Sequence, residues 1–323
     1  GGTITGVSKP VVNSDGFYEI ENEEQFGWVA YQVNDLGNQT IKVKLMRNLN
    51  MYGSKYTLYT GEQNLENIES ALMWSCIGTD SRPFKGTIDG NWHEIDGLYM
   101  ITANGTGLVG RAQGAVISRL GVGINSAIKG TSWPWGCAMF VGFVNSNVSN
   151  PITITDCYNL GTVEAIANYT SAFIGDDVDG SNWGTVKNCY NAGSTQRFSS
   201  GNLINYSNCY ADITRDPRNG DGNGGAVKLT TTQIQSWAFA YKMNGQNMEG
   251  GWKFTEGEYP GFGTLDPAPS WSAVAQGVKD GFVTATEAST NTDGAYVIDT
   301  AEKLALFAYD VNAGTKTMAS ASL

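Results

Sequence analysis

The chain has 323 residues, a formal net charge of −11 and 41% apolar residues, which indicates a folded acidic protein and excludes a disordered one. Its 20 basic residues form no cluster, which argues against nucleic acid or an anionic membrane surface as a partner. No apolar run reaches the roughly 18 residues of a spanning helix, so we expect no membrane insertion in this segment. The 41 glycines favour many tight turns and an all-β fold.

The first predicted elements are a short strand at residues 18–20 and a helix over 22–34. Asn22 is a suitable N-cap, because Gln25 follows three residues later as in a capping box. Apolar residues then fall at i, i+3, i+4 and i+7, which predicts one buried stripe. The stripe consists of Phe26, Val29, Ala30 and Val33. Residues 41–46 alternate and predict a strand.

The stretch 84–98 carries the strongest β pattern. It alternates apolar and polar residues, and Asp89-Gly90-Asn91 in its middle is typical of a tight turn. From 106 to about 212, short strands separated by glycine follow at close spacing. This succession predicts a right-handed parallel β-helix over roughly 40–230, with capping α-helices near 22–34 and 232–243.

A short motif recurs within this region. Asp156-Cys157-Tyr158-Asn159 returns as Asn188-Cys189-Tyr190-Asn191 and again as Asn208-Cys209-Tyr210-Ala211. Recurrence on this scale predicts stacked coils in which like residues form ladders about 4.8 Å apart. We expect the three cysteines to be buried thiols that act as small hydrophobic side chains.

A longer recurrence concerns the end of the sequence. Asp293-Gly294-Ala295-Tyr296 resembles Asp15-Gly16-Phe17-Tyr18, and Val311 follows Val33 at the same spacing. We therefore predict one unit over 1–265, a linker over 266–270 and the start of a second, truncated repeat unit over 271–323. The apolar stripe of its helix should be Leu304, Phe307, Ala308 and Val311, docked on the end coil or on the 232–243 helix.

A family resemblance rests on these residues. The pattern Phe84-x-Gly86-Thr87-x-Asp89-Gly90-Asn91-x-His93-x-Ile95-x-Gly97-Leu98, followed by Gly107-Leu108-Val109-Gly110, resembles the GLUG-motif repeat proteins. The Asn-Cys-Tyr-Asn-x-Gly coils and the segment Tyr259-Pro260-Gly261-Phe262 are similar to the same family. The resemblance implies a secreted or surface-attached bacterial protein of the kind common in gut Bacteroidetes, often built as a β-helix.

Two groups of residues are candidate binding sites. Trp133 and Trp135 lie between coils, where exposed indole faces could stack on sugar rings; the alternative is a loop packed over the core. We expect no cofactor, but Asp177, Asp179 and Asn182 offer oxygen ligands at close spacing, so calcium is the alternative that the pattern allows. The alternatives for this cluster are a solvated turn or a pair of acids for hydrolysis.

The sequence predicts an extracellular, adhesin-like structural or binding module of a bacterial surface protein without catalytic residues. Its partner would be a host or environmental glycan or a surface protein. The alternative is a β-helix that binds or degrades polysaccharide, as a lyase or hydrolase. That enzyme would use Asp177 or Asp179 with a basic residue such as Lys187 or Arg197. His93, the single histidine, is expected to be structural.

Overall fold

The computed structural model describes residues 9–51, 74–101, 103–130, 135–145, 149–164, 170–177, 183–201, 203–222, 225–285, 287–316 and 321–322. Most of the described regular structure is β, in sheets that are mostly parallel. The chain divides into two compact units, Gly1–Thr230 and Thr231–Leu323.

The first unit holds one helix and nineteen strands among its described residues. The helix is α1 (Glu23–Asn34). The strands are β1 (Val11–Val12), β2 (Tyr18–Ile20), β3 (Lys42–Leu45), β4 (Leu49–Asn50), β5 (Thr87–Asp96), β6 (Tyr99–Ile101), β7 (Val109–Ala112), β8 (Val116–Val122), β9 (Ala127–Lys129), β10 (Cys137–Ala138), β11 (Val141–Val144), β12 (Ile152–Thr155), β13 (Tyr158–Asn159), β14 (Thr162–Glu164), β15 (Thr170–Ser171), β16 (Ile174–Asp177), β17 (Gly184–Asn191), β18 (Ile204–Asp212) and β19 (Val227–Leu229).

These strands form one large sheet and three small ones. The large sheet has eleven strands and includes the order β3-β5-β8-β12-β17-β18, in which every pair is parallel. The small sheets are β7-β11-β16, β6-β9-β14 and β10-β15, which are parallel too. From β7 to β15 the chain visits the four sheets twice in the same order, and β16 and β17 begin a third round.

A ladder of β-branched side chains from the large sheet lies in the hydrophobic core. Ile88, Ile117, Ile154 and Val186 are register partners on successive strands, and each is fully buried. A second ladder consists of rings: Phe173 stacks on Phe140 at 4.9 Å and lies 4.8 Å from Phe198. Since strands lie about 4.8 Å apart, ring spacing and strand spacing agree.

The predicted cysteine and tyrosine ladders are confirmed. Tyr158 is the register partner of Tyr190, which pairs with Tyr210, and Cys189 pairs with Cys209. Cys157, Cys189 and Cys209 are free thiols and are buried. Burial raises the pKa of Cys209 to about 12 and the pKa of Cys189 well above its ordinary value.

A corner of left-handed backbone precedes each cysteine. Asp156, Asn188 and Asn208 have φ of 53°, 55° and 48°, and Arg119 has 52° on the preceding strand. Asp and Asn tolerate this conformation better than most residues, because their short polar side chains bond the local backbone. Here the Nδ2 of Asn188 also donates to the Oδ1 of Asp156 at 2.6 Å, which links two corners.

The tight turn expected at Asp89-Gly90-Asn91 is wrong. β5 continues through these residues, with a register shift against β8 between Asp89 and His93. Asn91 and Trp92 take φ of 50° and 62°, so the irregularity is a bulge within one strand. The Oδ1 of Asp89 accepts a bond from the Asn91 amide at 2.7 Å, and this local contact serves a bulge as well as a turn.

Helix α1 has the predicted N-cap and the predicted buried face. Its N-cap is Asn22, whose side chain accepts from the Gln25 amide at 2.9 Å. The predicted stripe of Phe26, Val29, Ala30 and Val33 is buried in the core. The Phe26 ring stacks on Trp74 at 4.9 Å and 11°.

The second unit contains four helices and four short strands among its described residues. They are α2 (Thr231–Ile234), α3 (Trp237–Met243), β20 (Trp252–Lys253), β21 (Gly261–Phe262), α4 (Trp271–Lys279), β22 (Tyr296–Val297), α5 (Ala301–Asn312) and β23 (Ala321–Ser322). The single helix expected over 232–243 is two helices, because Ser236 caps α3 by accepting from the Phe239 amide. α4 was not predicted. The division at 266–270 stays a prediction.

The start of the first unit recurs in the local structure of the second. α5 has the length of α1, and Thr300 caps it as Asn22 caps α1. The Oδ1 of Asn291 accepts from the amides of Asp293 and Ala295, as Asn13 accepts from Asp15 and Phe17.

The strand partners recur as well. Tyr296 pairs in parallel with Ala321, as Tyr18 pairs in parallel with Val43. Tyr296 follows Tyr18 at the same spacing as Ala321 follows Val43. Sequence periodicity and backbone pairing therefore mark the same repeat.

The predicted apolar stripe of α5 is only partly buried. Phe307 is buried, but Leu304 is 44% exposed and Ala308 is exposed. The buried face is instead Ala305, Leu306, Phe307 and Asp310. Asp310 binds Lys279 of α4 at 2.8 Å, so the neighbour that α5 packs against decides which face is covered. Trp271, the first residue of α4, is 61% exposed.

Candidate functional site

A group of side chains with shifted pKa values surrounds Glu94 on β5. The Tyr158 hydroxyl donates to the Oε2 of Glu94 at 2.5 Å. The two residues lie on strands separated by β8, whose Gly121 is the register partner of both. A side chain at Gly121 would run into the Tyr158 ring, so only glycine lets the ring lie over β8 and reach Glu94.

The pKa values of this pair shift upward together. Burial raises the pKa of Glu94, and the nearby Asp96 charge adds to this, against the bond from Tyr158. Burial also raises the pKa of Tyr158 well above its ordinary value, with the Glu94 charge as the next cause. Tyr158 is 2% exposed and stacks on Tyr190 at 5.4 Å. Because the Tyr158 hydroxyl is buried, it cannot contact a polymeric substrate. We interpret the Glu94–Tyr158 bond as the structural end of the tyrosine ladder.

His93 lies beside this pair and is only half-buried. Its Nδ1 is 3.3 Å from the Oδ1 of Asn48, which also accepts from the Glu94 amide at 2.9 Å. Burial lowers the pKa of His93, and the Asp89 charge opposes this. The histidine thus contacts the loop between β3 and β4, in keeping with the structural role expected for it.

Of the predicted aromatic pair, Trp135 is described and Trp133 lies outside the described residues. Trp135 is 59% exposed and precedes β10. Its amide donates to the Oδ1 of Asn104 at 3.0 Å, and its carbonyl accepts from the Gly105 amide at 3.0 Å. These bonds fix the backbone on a neighbouring loop while the indole remains accessible to solvent.

The acidic cluster is described only at its first member. Asp177 ends β16, where its backbone is the register partner of Val144. Asp179 and Asn182 lie outside the described residues, so the calcium prediction stays a prediction. Lys187 lies on β17 of the large sheet, whereas β16 belongs to a small sheet. Arg197 is half-buried in the segment between β17 and β18.

A groove lies between α4 and α5 within the second unit. Its volume is about 360 Å³. The lining is mostly small side chains with two aromatic rings: Trp271, Ser272, Ala275, Ala305, Ala308, Tyr309, Asn312 and Ala313. The sequence pattern placed Ala308 in a buried stripe, so this groove was not predicted.

Two further observations concern the described residues as a set. They contain no group of three or more His, Cys, Asp or Glu side chains placed to hold a metal ion. Within the same ranges, every helix is too short or too polar for a membrane crossing.

Comparisons with known proteins give one distant structural likeness. No protein-family model matches the chain, and no curated protein matches it. The chain is similar to a crystal structure of a putative immunoglobulin A1 protease from Bacteroides ovatus, with 13% identity and a TM-score of 0.43. The likeness covers 77% of this chain and 93% of that one. Similarity at this level establishes neither a shared fold nor a shared activity.

Proposed function

We propose that the first unit is a right-handed parallel β-helix of the GLUG-repeat type. Support comes from the order in which the chain visits its four sheets, which repeats from β7 onward. Crossovers between parallel strands of one sheet are right-handed in nearly all proteins, which favours this hand. The ladders of Ile, Cys, Tyr and Phe fit such coils, because each coil places like residues one strand apart.

The function proposed is that of an extracellular, adhesin-like structural and binding module of a bacterial surface protein. The observation that carries this proposal is the recurrence of strand, cap, helix and strand pairing at one constant spacing along the chain. A chain that starts the same module twice is organised as an array, and arrays of β modules suit rigid spacers and multivalent binders.

A polysaccharide is the ligand class favoured by one described side chain. Trp135 presents an indole that is 59% exposed on a backbone held by two hydrogen bonds. Such a ring can stack on the apolar face of a sugar. Because the backbone is already held in place, binding does not have to order the loop, and this entropy cost is avoided. Binding without cleavage is proposed, and secretion or surface display is part of the same proposal.

The test is binding of the whole chain to arrays of host and plant polysaccharides and of extracellular matrix proteins. Wild type should bind at least one class, and Trp135→Ala should lose polysaccharide binding. Trp271→Ala is the matched control, because this indole is equally exposed and lies in the second unit. Equal binding by all three proteins would remove Trp135 from the site. Failure of wild type to bind any surface would overturn the adhesive function.

A further inference from the structure

One face of α5 is exposed although the repeat gives it a counterpart that is buried. We name it the open face and define it by Leu304, Ala308, Val311 and Asn312. Leu304 is 44% exposed, and Ala308 and Asn312 are exposed too. These residues are spaced at i, i+4, i+7 and i+8, so they form a single surface of the helix.

The counterpart on α1 is covered by one extended segment, Trp74–Gly78. The Trp74 ring stacks on Phe26, the residue equivalent to Leu304. The Nδ2 of Asn34 donates to the Cys76 carbonyl at 2.9 Å, and its Oδ1 accepts from the Gly78 amide at 2.8 Å. Asn34 is the residue equivalent to Asn312. A single asparagine therefore pairs with both a carbonyl and an amide of the covering strand.

Of the residues that make these contacts, Asn34 is kept as Asn312, whereas Phe26 is replaced by the smaller apolar Leu304. Ala30-Tyr31-Gln32-Val33-Asn34 and Ala308-Tyr309-Asp310-Val311-Asn312 are identical at four of five positions. The one difference is Asp310, which faces Lys279 and is buried on the other side of the helix. The groove of about 360 Å³ lies alongside, with Ala308 and Asn312 in its lining. An apolar floor beside an amide able to pair with backbone is the same surface that Trp74–Gly78 covers on α1.

We propose that the open face binds an extended strand with the chemistry of Trp74–Gly78, supplied by a copy of this module. The leading tryptophan packs on Leu304 and Ala308. The amide of Asn312 donates to a carbonyl and accepts from the backbone N–H two residues farther along the strand. This inference rests on the proposed function, in which the chain is organised as repeated modules. It adds the residues of α5 that another copy of the module would contact.

The experiment titrates a labelled peptide of residues 74–80, with Cys76 replaced by serine, into the whole chain. Saturable binding by fluorescence anisotropy is expected at peptide concentrations below about 1 mM. Asn312→Ala should weaken it about tenfold, since two hydrogen bonds are lost. Ala308→Arg should abolish it by filling the face. Glu256→Ala, an exposed position of the same unit, should leave it unchanged.

Three results would overturn the proposal. The first is no saturable binding up to about 1 mM. The second is wild-type affinity of the peptide for Asn312→Ala and Ala308→Arg. The third is unchanged affinity for a peptide in which Trp74 is replaced by alanine. Thermal unfolding and far-ultraviolet circular dichroism of each variant establish that it is folded. Polysaccharide binding through Trp135 is a separate readout, so failure of the peptide with retained ligand binding rejects the docking contact alone.

Discussion

Replacing Asn191 by alanine should strongly destabilise the first unit. Asn191 is fully buried, and its Oδ1 accepts from the Gly193 amide at 3.2 Å and from the Nδ2 of Asn159 at 3.0 Å. Its own Nδ2 donates to the Oγ1 of Thr195 at 2.8 Å. The substitution removes all three bonds from the interior, where water does not replace them.

The size of the loss follows from what each partner keeps. The Nδ2 of Asn159 still donates to the Gly161 carbonyl, and the Thr195 hydroxyl still donates to the Arg197 carbonyl. The Gly193 amide loses its side-chain acceptor inside the core. One buried amide without its acceptor and two lost bonds correspond to about 2–6 kcal/mol of unfolding free energy.

Urea unfolding followed by circular dichroism measures this loss. The matched control is Asn205→Ala on the neighbouring strand β18, because Asn205 is exposed and should change stability by less than about 0.5 kcal/mol. Equal unfolding midpoints for the two variants would refute the role given to the buried asparagine. A change in the slope of the transition would indicate that the unfolded state or the two-state behaviour has changed instead.

Three further outcomes are expected. Ellman's reagent should leave Cys209 unreacted in the native chain and label it after denaturation, because burial raises its pKa to about 12; rapid native labelling would disprove the ladder. Asp310→Ala should lower the stability of the second unit by about 1–3 kcal/mol, because it removes the ion pair with Lys279. The loss is smaller than for a fully buried pair, because Lys279 is partly exposed. The bonds from Lys279 lower the pKa of Asp310, so its contribution is present above the ordinary carboxyl pKa and is lost on acidification through the lowered value; acid melts of wild type and variant that stay parallel would contradict this. Gly193→Ala should prevent folding because its Cβ would strike the Gly161 carbonyl oxygen, whereas Gly261→Ala, which meets open space, should express and melt like wild type.

Local patterns predicted the parts of the fold that depend on neighbouring residues. The cap at Asn22 and the stripe of α1 follow from spacing along one helix. The Cys189 and Tyr190 ladders follow because a repeated motif must place its copies in register. The prediction of a turn at Gly90 was wrong because Asp and Asn side chains stabilise positive-φ backbone both in turns and in bulges. Only pairing with the partner strand distinguishes a turn from a bulge.

The exposed face of α5 and the Glu94–Tyr158 pair depend on distant partners. Phe307 and Ala308 both belong to the predicted apolar stripe, but packing against α4 decides that Phe307 is buried and Ala308 exposed. Glu94 and Tyr158 are far apart in the sequence. They meet because Gly121, on the strand between them, has no side chain to block the Tyr158 ring. Extending the tyrosine motif backwards by one coil would have reached Gly121. For Trp135 the sequence left open an exposed indole or a loop packed over the core, and the structure shows an exposed side chain; its role as a binding site stays a prediction.

The most direct test of the proposed function incubates the whole chain with each polysaccharide that it binds on the array. Binding and cleavage of glycosidic bonds are measured in the same sample. If the chain binds without cleavage, binding should be saturable, with no increase in reducing ends and no unsaturated uronate absorbance over many hours. Loss of retention in Trp135→Ala should accompany this. Sustained release of reducing ends or unsaturated products by wild type would show an enzyme and contradict the account.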